Sequence, residues 1–177
     1  MKTLNNRVEI SPNMGEERKP KKKEIESKFL IWEDGVNYYS RRFEGFFPDP
    51  NSLREVAQSE GTSIHQGYMP IELGYDLARR MGVKVDFSAV EARLRRKLKP
   101  NGEESFTFDM KDDGTSERGH LEDLPIEERL FREFWPRTEG DRLFKVRLKR
   151  SDTDSPLLTV EFDAYTDRPL IVAEVEF

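Results

Sequence analysis

Short segments in which charged and apolar residues alternate recur along the chain, and in an extended backbone such alternation sorts the two kinds onto opposite faces. In the stretch from Glu24 to Lys28, the charged Glu24, Glu26 and Lys28 share one face while Ile25, Phe29 and Ile31 take the other. The chain's end repeats the pattern, with Glu174 and Glu176 opposed to Ala173, Val175 and Phe177. Basic versions follow the same rule: Arg93, Arg95 and Lys97 align in one segment, and Lys145, Arg147 and Lys149 in another. Arg118, His120 and Glu122 align in a further segment, and Glu161 with Asp163 in the stretch from Thr159 to Tyr165. Each of these is expected to be a strand.

Helical spacing occupies the intervals. Asp49-Pro50-Asn51-Ser52 reads as a helix start before Leu53 to Glu60, with Gly61 ending it. Ile71, Leu73, Leu77, Ala78 and Met81 suit an amphipathic helix closed by Gly82. Its expected role is packing on the outside of the sheet, with a cover over one mouth of the sheet as the alternative. From Glu127 to Trp135, Leu130, Phe131 and Phe134 fall near one helical face, and Pro136 stops the helix. The aromatic-rich stretch Asn37 to Phe47 reads as an extension of the first hairpin.

Composition bounds what these elements build. A chain of 177 residues is one domain in size, and its 35% hydrophobic against 37% charged content suits a sheet whose enclosed side is polar. The 12 Phe, 5 Tyr and 2 Trp supply apolar area that disordered chains lack. Residues 1–23, with the basic run Lys19 to Lys23, read as a flexible basic tail ahead of a domain spanning residues 24–177. A net charge of −5 gives no general attraction to long nucleic acid or an anionic membrane. With no cysteine, disulfides, thiolate metal sites and cysteine nucleophiles are excluded. No apolar signal core or bilayer-spanning segment is expected, and cytoplasmic localisation is the default. A homodimer is compatible with the sequence and not required by it.

Like charges at alternate positions repel, so any one of these strands is most simply a solvated face. Acidic and basic versions together are better explained by a closed sheet that gathers them around a polar lumen. Basic strands suit a polyanion, and acidic strands suit hard divalent cations, which together describe a metal-bound polyphosphate.

At these residues the chain resembles the CYTH superfamily of triphosphate tunnel metalloenzymes, which carries an N-terminal E-x-E-x-K; here it reads EIESK. The resemblance continues in order through SIHQGYM at Ser63 to Met69, ARLRRK, FTFDMK ending at Lys111, RGHLE, KVRLK, FDAY and the terminal LIVAEVEF. It implies an α+β fold built on a closed antiparallel eight-stranded β-barrel with a polar lumen, the helices packing outside against the apolar strand faces.

The resemblance also implies roles. Lys28, Arg93, Arg95, Lys111, Arg118, Lys145 and Arg147 resemble the basic residues that hold phosphoryl groups, the arginines as planar forks and the lysines as point charges. Lys97, Lys149 and Arg150 are expected at the rim or surface. Glu24, Glu26, Glu174 and Glu176 resemble the family's metal ligands, and an oxygen donor set favours Mg2+ or Mn2+ over zinc. Glu24, Glu26 and Lys28 are carried over as catalytic residues together with Glu122 and Asp163, candidates for orienting an attacking water; Glu161 shares the facing of Asp163, and the choice between them stays open. His120 departs from the pattern, standing where the family has the first glutamate of R-x-E-x-E. His65 reads as structural or exposed.

The activity implied is metal-dependent hydrolysis of a triphosphate small molecule, inorganic triphosphate first and a nucleoside or thiamine triphosphate next. A class IV-like adenylyl cyclase using the same tunnel is the alternative enzyme, and a polyphosphate-binding or nucleotide-binding module without turnover is the alternative outside catalysis.

Overall fold

The computed structural model describes residues 26–32, 50–112, 120–151 and 159–176, with residues 26–32, 50 and 176 described by backbone alone. The basic tail and the stretch from Asn37 to Phe47 lie outside the described residues. Eight strands form one sheet: β1 (Glu26–Trp32), β2 (Thr62–Met69), β3 (Glu91–Leu98), β4 (Glu104–Lys111), β5 (His120–Pro125), β6 (Arg142–Ser151), β7 (Thr159–Tyr165) and β8 (Leu170–Glu176). Their spatial order is β1-β8-β7-β6-β2-β3-β4-β5. Each neighbouring pair runs antiparallel. The antiparallel α+β fold expected from the sequence is therefore present. Among the described residues no ladder joins β1 to β5, so closure into a barrel is not seen; the segments flanking those edges, residues 1–25, 33–49 and 113–119, lie outside the described residues.

Three helices cover the apolar side: α1 (Pro50–Glu60), α2 (Ile71–Arg80) and α3 (Glu128–Phe134), the last continuing into a 3-10 turn at Trp135–Thr138 where Pro136 removes a helical donor. Leu53 and Ala57 of α1 pack on Leu148, Phe162, Ala164, Ile171 and Ala173 of β6 to β8. The α1 helix is also pinned at the far end of β7, where Arg54 Nη1 donates to the Tyr165 carbonyl at 2.6 Å. Leu77 and Ala78 of α2, with Phe131 and Phe134 of α3, pack on Ala92, Leu94, Phe108 and Met110 of β3 and β4. Phe108 and Phe162 are wholly buried, each worth about 1.5–3 kcal/mol against exposure.

The α2 helix thus takes the outer packing role. Its approach is close enough that a Cβ added at Gly74 would stand 2.5 Å from the Ala92 Cβ. Glu72 in its first turn and Arg79 and Arg80 in its last complement the helix dipole. Gly82, at φ +70°, turns the chain out of it as expected. Among the described residues no helix is long and apolar enough to cross a membrane.

With the greasy faces of the strands covered by helices, the charged residues are left together on the other face. The strand register keeps them there: Lys28 stands opposite Glu174, Glu174 opposite Glu161, Arg147 opposite Asp163, and Arg93 opposite Asp109.

Candidate functional site

The charged face is organised as two networks on either side of β2. The first spans β6, β7 and β8. Arg147 donates Nε to Asp163 Oδ1 at 2.6 Å and Nη2 to Asp163 Oδ2 at 2.7 Å. The same guanidinium reaches Glu174 Oε2 from Nη2 at 3.0 Å and also bonds Glu161 through Nη1. Lys145 Nζ donates to Asp163 Oδ2, and Lys149 Nζ to Glu161 Oε1 at 3.0 Å. Asp163 is 1% exposed, so both of its oxygens are committed to cations out of reach of bulk water.

Burial sets the electrostatics here. It pulls Lys145 below the usual lysine value, helped by the charge of Arg147 and opposed by Asp163. For Asp163, burial works against ionisation, but the hydrogen bonds from Arg147 and the charges of Lys145 and Arg147 outweigh it and hold the carboxyl below its ordinary range. Burial likewise opposes the charge on Arg147, yet its bonds to Asp163 and the charges of Asp163, Glu161 and Glu174 raise its affinity for the proton.

The second network spans β3, β4 and β5. Asp109, wholly buried, accepts from Arg95 Nη2 at 2.9 Å and from the backbone N–H of Asp123 at 3.0 Å, with Arg93 Nε 3.5 Å from its other oxygen. A bulge in β5 places Glu122 and Asp123 together opposite Asp109, because Phe108 pairs with Leu124 and Met110 with Leu121. Asp123 adopts φ +49° there. Its Oδ1 accepts from Lys97 Nζ at 2.9 Å, Arg95 Nη1 at 3.2 Å and Thr107 Oγ1 at 3.3 Å. Partial burial opposes ionisation of Asp123, and the bond from Lys97 with the charges of Arg95 and Lys97 more than offsets it. Arg93 Nε, Arg95 Nε and Asp109 Oδ2 are buried without a hydrogen-bond partner, so this network holds unspent polar capacity.

Between the networks lies β2, where Gln66 Nε2 donates to the Tyr68 hydroxyl at 2.5 Å. Gln66 stands opposite Arg95, and Tyr68 opposite Arg93.

The sequence-expected residues distribute as follows. Lys145, Arg147, Asp163, Glu161 and Glu174 come together in the first network, and Arg93 and Arg95 in the second. The backbone sets Glu26 across from Glu176 and Lys28 across from Glu174. Lys111 and Glu122 lie at the β4–β5 edge, Nζ to Oε1 at 3.8 Å, with His120 exposed opposite Lys111. Glu24 and Arg118 lie outside the described residues. Lys149 and Arg150 are at the surface as expected, and Lys97 is partly exposed and paired with the more exposed Asp123. His65 is on the opposite face, edge-on to Phe144 with ring centroids 5.0 Å apart. It lines a cavity of about 350 Å³ with Arg96, Phe106 and Trp135. Burial and Arg96 depress its imidazole below the ordinary range.

Sequence reasoning missed Asp109, Asp123, Gln66 and Tyr68. Asp109 carried a signal, since it alternates with Thr107 and Lys111 on one face of β4. Asp123 carried none, because period-two counting from Glu122 assigns it to the wrong face unless the bulge is known.

No family model matches the chain, and no curated protein matches it by sequence. Among solved structures it is similar to the hypothetical protein NE1496, at 26% identity over 87% of this chain and 76% of that one, with a TM-score of 0.46. It is similar to the inorganic triphosphatase NE1496 at 24% identity, over 87% of this chain and 73% of that one, with a TM-score of 0.47. A third is the PH1819 protein from Pyrococcus horikoshii OT3, at 14% identity, 86% and 77% coverage and a TM-score of 0.40. An inorganic triphosphatase is thus among the solved proteins this chain is similar to.

Proposed function

We propose that this chain is a divalent-metal-dependent triphosphatase of the kind its motifs resemble, cleaving a phosphoanhydride bond of a small triphosphate, inorganic triphosphate first. The observation that carries the reading is that Lys145 and Arg147 of β6 and Arg93 and Arg95 of β3 share one largely dry face, in two networks flanking β2. Buried carboxylates offset the cost of holding these cations out of water, and phosphoryl oxygens are suited to take further charge-assisted bonds from the same cations.

In this reading the second network, where Arg93, Arg95 and Lys97 are balanced by Asp109, Asp123 and Glu91, takes successive phosphoryl groups as its cations exchange carboxylate partners for phosphoryl oxygens. Asp163 keeps Lys145 and Arg147 fixed, so their donors need no reorganisation when charge develops on the leaving phosphate. With both of its oxygens engaged, Asp163 acts as a positioning acid, and the exposed Glu122 beside Lys111 is the carboxylate that orients an attacking water.

The donor chemistry fits a hard cation. Among the described residues no cluster of three carboxylates or imidazoles forms a ready metal site. However, the β1–β8 register brings Glu26, Glu174 and Glu176 to neighbouring positions on the charged face, an all-oxygen set suited to Mg2+ or Mn2+, with Glu24 extending it by sequence. Such an ion would neutralise phosphate charge and polarise the phosphoryl oxygens. The ligand would be a small molecule and not long nucleic acid, in keeping with the net charge of −5.

The test is release of phosphate, pyrophosphate and cyclic nucleotide from inorganic triphosphate, ATP, GTP and thiamine triphosphate with magnesium or manganese, beside Glu174→Ala and Glu176→Ala. Metal-dependent phosphate release lost in both variants is the expected result. Cyclic nucleotide with pyrophosphate would reassign the chain as a cyclase, and binding without turnover as a sensor.

A further inference from the structure

In the second network one carboxylate oxygen accepts from three side-chain donors. Asp123 Oδ1 alone collects Lys97 Nζ, Arg95 Nη1 and Thr107 Oγ1. An ammonium, a guanidinium and a hydroxyl converging on one oxygen form a typical oxyanion-binding donor set. The neighbouring carboxylate behaves differently: Asp109 is wholly buried and holds Arg95 from beneath, whereas the Asp123 side chain is 47% exposed. Asp123 also sits in a bulge on β5, a strand paired among the described residues with β4 alone. Its backbone, at φ +49°, is in the left-handed region that aspartate and asparagine tolerate and most residues do not. Withdrawal of this side chain toward solvent would release three donors still anchored by their own strands, with Arg95 kept in place by Asp109.

We propose that Asp123 is an internal competitor for the substrate anion, its carboxylate holding the seat of a phosphoryl oxygen at the Arg95–Lys97–Thr107 donor set until a polyphosphate displaces it. The proposal rests on the triphosphate reading of the same face and adds a selectivity device to it. A singly charged or carboxylate ligand gains little by exchanging with an equivalent carboxylate already in place. A phosphoryl group of higher charge gains enough to displace it.

Titration calorimetry of the full chain at fixed ionic strength tests this, with inorganic triphosphate and pyrophosphate as probes, comparing the parent with Asp123→Asn. Asparagine keeps the size of the side chain and tolerates the left-handed backbone while removing the charge. The expected result is roughly fivefold tighter binding of both anions, the scale of two partly exposed ion pairs no longer competing. Unchanged or weaker binding overturns the proposal and makes Asp123 a supporting residue. Asp123→Gly, which suits φ +49° and deletes the carboxylate, supplies the same comparison if the asparagine variant fails to fold. Turnover is read separately. Parent protein that binds but does not hydrolyse removes the hydrolase reading and leaves the competitor standing if Asp123→Asn binds more tightly. Binding by neither protein removes both.

Discussion

Arg147 and Asp163 face each other in register across β6 and β7, and the guanidinium grips the carboxylate through Nε at 2.6 Å and Nη2 at 2.7 Å. Lys145 shares the second oxygen. Replacing Asp163 by alanine leaves two cations facing each other where the missing carboxylate was 1% exposed. The expected cost is about 3–5 kcal/mol of stability, the scale for breaking a buried ion pair from one side. Urea unfolding of Asp163→Ala against the parent checks it, and a loss under about 1 kcal/mol would show that the pair is solvated.

The same residue gives the fold an acid limb. Although burial opposes it, hydrogen bonding from Arg147 and the charges of Lys145 and Arg147 hold the folded Asp163 carboxyl below its ordinary value. A group with a lowered folded pKa contributes stability that is fully present above its unfolded pKa, about 3.9, and is lost as the pH falls through the lower folded value. The parent is expected to lose stability below about pH 4 more steeply than Asp163→Asn, whose amide does not titrate. Urea midpoints measured from neutral to strongly acid pH compare the slopes. Parallel acid limbs would mean that other carboxylates govern the loss.

Arg147 makes four hydrogen bonds to Asp163, Glu161 and Glu174 through a planar fork that lysine cannot reproduce. Arg147→Lys keeps the charge and is still expected to weaken binding of inorganic triphosphate by roughly tenfold, the scale of one charge-assisted bond lost. Arg150→Lys, which changes a surface residue bonded to Glu60, is expected to bind like the parent. Calorimetric titration of both variants makes the comparison, and similar losses in the two would point to a diffuse charge effect.

Much of this site was legible because period-two alternation is an unusually direct code. Once Lys145, Arg147 and Lys149 are read as one face of a strand, their partners follow from any antiparallel neighbour of the same kind, and Glu161 and Asp163 duly stand across from them. The helices were legible for the complementary reason, since Leu77 and Ala78, or Leu130, Phe131 and Phe134, have no burial site except the strand faces turned away from the charges. What escaped was set by irregularity and by partner choice. Asp123 joins the charged face through a bulge, and one inserted residue reverses every assignment made by alternation. The pairing of Lys97 with that same residue, 26 positions away, was hidden for the same reason. Which strand neighbours which was not legible at all: β2 between β6 and β3 separates the cations into two networks, and no local pattern encodes it.

Outer-face packing makes a prediction independent of any ligand. Gly74 lets α2 lie against β3, where an added Cβ would meet the Ala92 Cβ at 2.5 Å. Alanine improves helix propensity by about 1 kcal/mol, but neither the strand nor the helix backbone can yield cheaply at that distance. A larger side chain removes the ambiguity: Gly74→Val is expected to destabilise by about 1–3 kcal/mol through overpacking. Triphosphate affinity measured where the variant is fully folded is expected to be unchanged, because α2 packs on the face opposite the charges. A loss of affinity at full folding would restore the alternative role for α2, a cover over the ligand.

Glu174 and Glu161 stand opposite each other on β8 and β7, and both accept a hydrogen bond from Arg147. They differ in their other neighbours. Glu161 is also bonded to Lys149, whereas Glu174 stands across from Lys28 and two positions from Glu176, itself across from Glu26. If the metal is held at the β1–β8 edge, Glu174→Gln is expected to raise the magnesium concentration needed for half-maximal turnover by roughly tenfold or more, since carboxylate count sets the affinity of an oxygen site. Glu161→Gln removes an equal charge at nearly the same depth and is expected to leave that requirement within about twofold, because its partners are cations that would disfavour an ion between them. A magnesium titration of phosphate release separates the two. Equal shifts would place the ion over β7 as well as β8. A shift confined to Glu161→Gln would move it away from the chain's end, leaving the terminal glutamates to structural duty.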